Sequence, residues 1–234
     1  MELGTALTRR RLVASLVVLA IALGLTVFAV ARATGGAPVD EVSARCQRAA
    51  ERAEERRSLD TGTGPAVVVI GDSYSVGAGV DLLQSWPTRL PGRVHVDGFS
   101  GSGFSATASP CGAVSYADRA ARAVAGRPGA LVVVEGGLND HAQNDYDIQR
   151  GFVRLMQVLA GHPVLVVGPP PAPSRAAEVP RVDAALARMA TGFGASYLSL
   201  AQVDLDYLDD DLHPTVRGQR KLGRLVAAEV ARLL

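Results

Sequence analysis

From Ala66 onward the chain alternates between short apolar runs and longer stretches with helical spacing. The runs are Ala66–Ile70, Val94–Asp97, Leu131–Glu135, Val164–Gly168 and Ser196–Leu200, rich in valine and leucine. They lack polar alternation, as strands buried on both faces should. Between them, Val76–Leu83, Ala117–Ala125, Asp147–Ala160 and Arg181–Thr191 are predicted to be helices. A final helix is predicted over Thr215–Leu234, with Leu222, Leu225, Val226, Val230 and Leu233 on one face. Strand-helix alternation implies an α/β domain, a parallel sheet with helices on both faces. In such sheets ligands bind beyond the carboxyl ends of the strands.

The N-terminus carries a different pattern. Arg9, Arg10 and Arg11 precede an uncharged apolar run from Leu12 to Ala31, closed by Arg32. At ~1.5 Å per residue that run reaches roughly 30 Å, the thickness of a bilayer's hydrocarbon core. Arginines ahead of it orient the N-terminus to the cytoplasm and the rest of the chain outside. The expectation is a single-pass membrane anchor with an extracytoplasmic domain. The competing reading is a secreted protein, with Ala31-Arg32-Ala33 as a cleavage site and Thr8-Arg9-Arg10-Arg11-Leu12 faintly resembling a twin-arginine signal. Residues 1–33 form this segment and residues 34–65 a linker with an exposed, charge-dense helix over Asp40–Ser58. Thr34–Val39 reads as flexible, and Thr61-Gly62-Thr63-Gly64-Pro65 opens the globular domain, residues 66–234.

Composition bounds the partners. With 234 residues and 48% hydrophobic content the chain can bury one good core. A net charge of +1 and an aromatic content of 5% argue against a nucleic-acid platform. The basic positions Arg217, Arg220, Lys221 and Arg224 recur at helical spacing opposite the apolar stripe and read as a solvated face. Cys46 and Cys111 are the only cysteines, which is what one disulfide in an oxidising compartment needs. Their spacing matches no zinc site and no C-x-x-C redox motif.

Four segments carry candidate chemistry, and each has a bland alternative. Ser73, in Gly71-Asp72-Ser73, follows the first strand; a serine there is either a nucleophile at the active end of the sheet or a helix N-cap. Asp210 precedes His213 by three residues in Asp209-Asp210-Asp211-Leu212-His213-Pro214. A serine nucleophile needs a base in reach and the base needs a carboxylate, and D-x-x-H supplies both. Asn139, in Gly136-Gly137-Leu138-Asn139-Asp140, could donate its side-chain amide to an oxyanion or simply form a turn. Gly98-Phe99-Ser100-Gly101-Ser102-Gly103 offers backbone N–H groups. Gly101 to Ala106 also fits a dinucleotide fingerprint, but Ser109-Pro110-Cys111-Gly112 follows where a helix should.

Together the four segments resemble, in order and at strand ends, the blocks of the SGNH, or GDSL-like, hydrolases over roughly Ala66–Leu234. The resemblance implies a three-layer fold with a flavodoxin-like five-stranded parallel sheet. It implies Ser73 as nucleophile, His213 as base and Asp210 as its carboxylate. Ser73 and Gly101 N–H with the Asn139 amide would form the oxyanion hole. Gly103 remains an alternative to Gly101, and Asp211 to Asp210, although D-x-x-H fits Asp210 better. Ser85-Trp86-Pro87 resembles a feature of bacterial members that orders the first helix and its loop. No G-x-S-x-G elbow occurs, which argues against an ordinary α/β-hydrolase. The implied function is hydrolysis of a small-molecule or glycan ester, without metal or organic cofactor. An envelope O-acyltransferase and a non-catalytic, membrane-tethered binding module are the alternatives. Short insertions between blocks leave no lid, so short acyl groups are favoured over long-chain lipids. Gly168-Pro169-Pro170-Pro171-Ala172-Pro173 is expected to wall the pocket. Oligomeric state is not legible.

Overall fold

The computed structural model describes residues 37–234. The apolar run Leu12–Ala31, with the anchor or signal read from it, lies outside the described residues, among which no helix is long and apolar enough to cross a membrane. The chain divides into two units, Met1–Arg45 and Cys46–Leu234, and the second holds the sheet and all four candidate segments.

Five strands form one parallel sheet in the order β2-β1-β3-β4-β5. They are β1 (Ala66–Gly71), β2 (Arg93–Gly98), β3 (Leu131–Glu135), β4 (Val164–Val167) and β5 (Ser196–Leu198). Each lies within about two residues of its expected bounds. Alternate residues point to opposite faces of a strand, and both faces here are covered. Val68, Ile70, Val132, Val134 and Val166 pack under helices α3 (Tyr116–Val124), α4 (Asp145–Val158) and α5 (Val179–Gly192). Val67, Val69, Val133, Leu165 and Val167 pack under Trp86 and the last helix, α6 (Val216–Leu233). The α6 stripe holds through Leu222, Val226 and Val230, but Leu225 turns outward at 37% exposure. Only the edge strand β5 is half-buried throughout.

Two expectations need correction. The helix expected over Val76–Leu83 is absent. A four-residue helix α2 (Ser73–Val76) stops at Gly77, whose φ of 73° caps it in the left-handed region. Gly79 at φ 80° continues the turn, and only short 3-10 turns follow, at Leu82–Gln84 and Trp86–Arg89. The charge-dense segment is helical as α1 (Ala37–Arg57), and it starts inside the stretch read as flexible. It is not a purely solvated spacer either. Ala49, Ala53 and Arg56, at i, i+4 and i+7, are buried, the two alanines against Phe99. Arg52 donates to the carbonyls of Gly77 (3.1 Å) and Val80 (2.6 Å), in the turn that follows α2. A Cys46–Cys111 disulfide joins α1 to the loop after β2.

Candidate active site

The order β2-β1-β3 puts the ends of β1 and β3 side by side at the sheet's topological switch point, where doubly wound sheets bind ligands. The loops carrying Ser73, Gly101, Asn139 and His213 all belong to this end.

Ser73 is the first residue of α2 and is 8% exposed. The N-cap is its neighbour Asp72, whose Oδ1 accepts the Tyr74 N–H at 3.0 Å. The bland role open to the serine is therefore taken by Asp72, and among the described residues the Ser73 hydroxyl has no hydrogen-bond partner. Asp72 Oδ2 also accepts from Tyr116 (3.3 Å) and from Asn139 Nδ2 (3.1 Å). Burial pushes the Asp72 carboxyl up, opposed by the Tyr74 N–H and the charges of Arg175 and His213. Behind it, Glu135 at the end of β3 accepts a bond from Ser75 Oγ at 2.7 Å. Burial, then the charge of Asp72, pushes Glu135 well above the carboxylate range. The serine's turn thus stands on two buried carboxyls that share one region and cannot comfortably both ionise.

The glycine loop is held from two sides. Fully buried Arg119 donates to Gly71 O (2.9 Å), Ser102 Oγ (3.0 Å), Val114 O (2.9 Å), Asp97 Oδ1 (2.8 Å) and Asp97 O. Asp140 Oδ2 and Oδ1 accept the N–H groups of Phe104 (2.9 Å) and Ser105 (2.8 Å). The two glycines between these supports differ. Gly101 has φ 82° and nothing nearer than 4.0 Å to the place of a Cβ. At Gly103 that place is 2.6 Å from Asp140 Oδ2, so its lack of side chain serves packing under the aspartate. Among the described residues neither N–H has a hydrogen-bond acceptor.

Asn139 sits in the 3-10 turn Leu138–Asp140, entered through Gly137 at φ 117°. Its Nδ2 donates to Asp72 Oδ2 and, at 2.8 Å, to Ser102 O. It spans the serine turn and the glycine loop, with both N–H groups engaged.

Asp210 and His213 meet as the D-x-x-H spacing requires. Asp210 Oδ2 lies 2.6 Å from His213 Nδ1, and Oδ1 accepts the N–H groups of Leu212 (3.0 Å) and His213 (2.9 Å). Desolvation alone would raise this carboxyl, but the His213 and Leu212 bonds hold it down at about 2. Asp211 plays a different part. At φ 55° it makes the turn between them, and its carbonyl accepts both N–H (3.0 Å) and Oγ (2.9 Å) of Ser174. Tyr74 joins this loop to the serine turn: its hydroxyl donates to Leu212 O at 2.5 Å, and its ring centre is 6.3 Å from that of His213. Burial pushes the Tyr74 hydroxyl up, so it stays a donor. No hydrogen bond joins Ser73 to His213.

Trp86 is fully buried beneath α6, its backbone N–H donating to Gln219 Oε1 at 2.9 Å. Pro169 and Pro170 are buried, and Pro169 lies against Gly137, so this part of the proline run supports the Asn139 loop. Among the basic α6 positions, Arg217 pairs with Asp206 and Lys221 bonds Asp204 O at 2.6 Å. Among the described residues no group of three or more His, Cys, Asp or Glu is placed to hold a metal ion.

Sequence reasoning assigned no role to Asp72, Glu135, Arg119, Tyr74 or Arg175. A carboxylate ending an apolar strand, as Glu135 does, was the available signal, because a charge is buried there only for a reason.

The GDSL-like lipase/acylhydrolase family profile matches residues 69–221. Solved structures with the same fold include Est24, a carbohydrate acetylesterase from Sinorhizobium meliloti, at 20% identity and a TM-score of 0.61, covering 73% of this chain and 100% of that one. The M. smegmatis aryl esterase aligns at 19% identity and a TM-score of 0.60, over 73% of this chain and 100% of its own. No curated protein matches the chain in sequence. With the profile spanning all four loops of the site, the chain belongs to the GDSL-like lipase/acylhydrolase family.

Proposed function

We propose that the protein is a serine-dependent carboxylic ester hydrolase working through a covalent acyl-enzyme on Ser73. The observation that carries this reading is the Tyr74–Leu212 bond, which ties the serine's turn to the loop where Asp210 orients His213. Ser73 Oγ attacks the ester carbonyl as His213 Nε2 takes its proton, and the carbonyl electrons move onto oxygen. Asp210 keeps the Nδ1 proton in place and stabilises the imidazolium. Collapse breaks the bond to the alcohol, which leaves with the proton from His213. Water then repeats the sequence on the acyl-enzyme and frees the acid.

The oxyanion is assigned to the Ser73 and Gly101 N–H groups and the Asn139 amide. Open space at Gly101, against the packing of Gly103 under Asp140, supports the choice of glycine. An Asn139 N–H becomes available when the oxyanion competes with Asp72 for it. Short acyl or acylated carbohydrate esters are the proposed substrates, supported by the short segments between the loops and by likeness to a carbohydrate acetylesterase. Intact-mass labelling of the full chain with a fluorophosphonate probe tests the mechanism. A single adduct on Ser73, absent in His213→Ala, is expected; folded protein that takes no label sinks the reading. Free acid released without transfer to an added sugar would separate hydrolysis from acyl transfer.

The same domain is proposed to work outside the cytoplasm, tethered by Leu12–Ala31. The disulfide supports an oxidising compartment. Protease added to intact cells should degrade it, and N-terminal sequencing of the mature chain would reveal cleavage near Ala33 if the segment is a signal instead.

A further inference from the structure

Arg175 closes the 3-10 turn Pro173–Arg175 after β4, outside all four blocks of the site. Its Nη1 donates to Asn139 Oδ1 at 2.8 Å and to Leu138 O at 3.0 Å. The side chain is half-buried, and it has no carboxylate within ion-pair distance among the described residues. A guanidinium that gives both of its bonds to the Asn139 turn, one of them to the amide oxygen itself, needs a reason.

The amide supplies it. A primary amide has one acceptor end and one donor end. With a cation on Oδ1, Nδ2 faces the acceptors Asp72 Oδ2 and Ser102 O. Turned by 180°, the amide would set its NH2 against the guanidinium and its oxygen against both acceptors. Arg175 therefore selects the orientation that aims N–H at the serine's turn. A charge-assisted bond to the oxygen also polarises the amide, which makes the N–H on its far side a stronger donor. The longer Nδ2 bond, 3.1 Å to Asp72 against 2.8 Å to Ser102, is the one an oxyanion can displace.

We propose that Arg175 is a positioning residue of the oxyanion hole, fixing and polarising the Asn139 amide from behind. This rests on the ester-hydrolase reading with Asn139 as oxyanion donor. Since the effect strengthens as charge develops on the substrate oxygen, it belongs to the transition state and is expressed in kcat.

The test is steady-state hydrolysis of p-nitrophenyl acetate by the full chain and by Arg175→Met, Arg175→Lys, Arg175→Gln and Asn139→Ala. Arg175→Met is expected to lower kcat about 10- to 100-fold with KM within about 3-fold, below the loss usual for a direct oxyanion donor. In the Asn139→Ala background the same change should cost less than about 3-fold, because the amide it acts through is gone. Equal losses in both backgrounds, or a rise in KM at unchanged kcat, would overturn the proposal. Should the methionine variant not fold, the other two decide: lysine must retain more kcat than the uncharged glutamine, and the reverse order overturns it. Wild-type protein that neither turns over nor takes the fluorophosphonate label fails the ester-hydrolase reading itself. An active wild type matched by Arg175→Met fails this inference alone.

Discussion

Asp210 grips His213 through both of its oxygens, Oδ2 at 2.6 Å from Nδ1 and Oδ1 at 2.9 Å from the histidine's own backbone N–H. Ring and main chain are thus fixed by one carboxylate, and the tautomer with its proton on Nδ1 follows from that contact. The left-handed turn at Asp211 brings the two together, and Ser174 braces it.

Asp210→Asn would set an NH2 or a weaker acceptor against the imidazole and favour the wrong tautomer. We expect kcat on a simple ester to fall about 10²–10⁴-fold with little change in KM. The native carboxyl, held at about 2, stays ionised throughout the neutral range. Its depressed value means its contribution is present above about pH 4 and lost only as pH falls through about 2. Asp211→Asn should stay within about 3-fold of wild type, since that side chain is exposed and does not touch His213. Kinetics of the two variants in parallel check the assignment.

Asp140 gives a stability prediction of opposite sign. Burial pushes its carboxyl up to about 7, against the Ser105 and Phe104 N–H bonds that favour the ionised form. The folded state then holds a proton that the unfolded chain releases near pH 4. Stability should decline as pH rises from about 4 to 7, by at most about 1.4 kcal/mol per pH unit from this group. Asp72 and Glu135, shifted the same way, add to the decline. Urea midpoints at pH 5 and pH 8 should therefore differ more for wild type than for Asp140→Asn.

Arg119 uses every donor it has on groups that frame the serine turn and the glycine loop. Replacing it by methionine takes a buried donor from Gly71 O, Val114 O, Asp97 and Ser102 Oγ, although the Phe99 N–H still reaches Gly71 O and Arg122 still holds both oxygens of Asp97. The expected loss is about 1–3 kcal/mol, that of buried acceptors deprived of a donor rather than of an uncompensated charge, read as a fall in the chemical-denaturation midpoint. An unchanged midpoint would mean that water replaces the guanidinium.

The Cys46–Cys111 disulfide closes a sequence separation of 65 residues. In the chain-entropy picture a loop of that length is worth roughly 4 kcal/mol. Cys46→Ala/Cys111→Ala should lower stability by about 2–4 kcal/mol while leaving turnover of a small ester within about 3-fold, because α1 keeps its alanine contacts with Phe99. Unfolding curves and rates for the double variant test both halves.

The hydrophobic pattern located the strands because a strand buried on both faces is a continuous apolar run, and Val132, Val133 and Val134 need no partner to declare themselves. Asp210 and His213 were readable for a similar reason: three residues of separation lets one tight turn join them. The missing helix after Ser73 marks where local reading stops. Gly77 and Gly79 took left-handed conformations, and Arg52 of α1 caps the carbonyls of Gly77 and Val80 from far along the chain.

Sequence by itself determined the α/β class, the order of the elements and the residue types at the four loops, since these depend on local periodicity and on chemistry carried by single side chains. Only the tertiary structure decided what surrounds them. Asp72 on Asn139, Glu135 under Ser75, Arg119 on Gly71 and Ser102, and Arg175 behind Asn139 all join residues at least 17 positions apart. Such pairs form because the parallel sheet brings strand ends together and removes water from between them. A carboxyl or guanidinium desolvated there must find a partner across the fold, and no local pattern records which one.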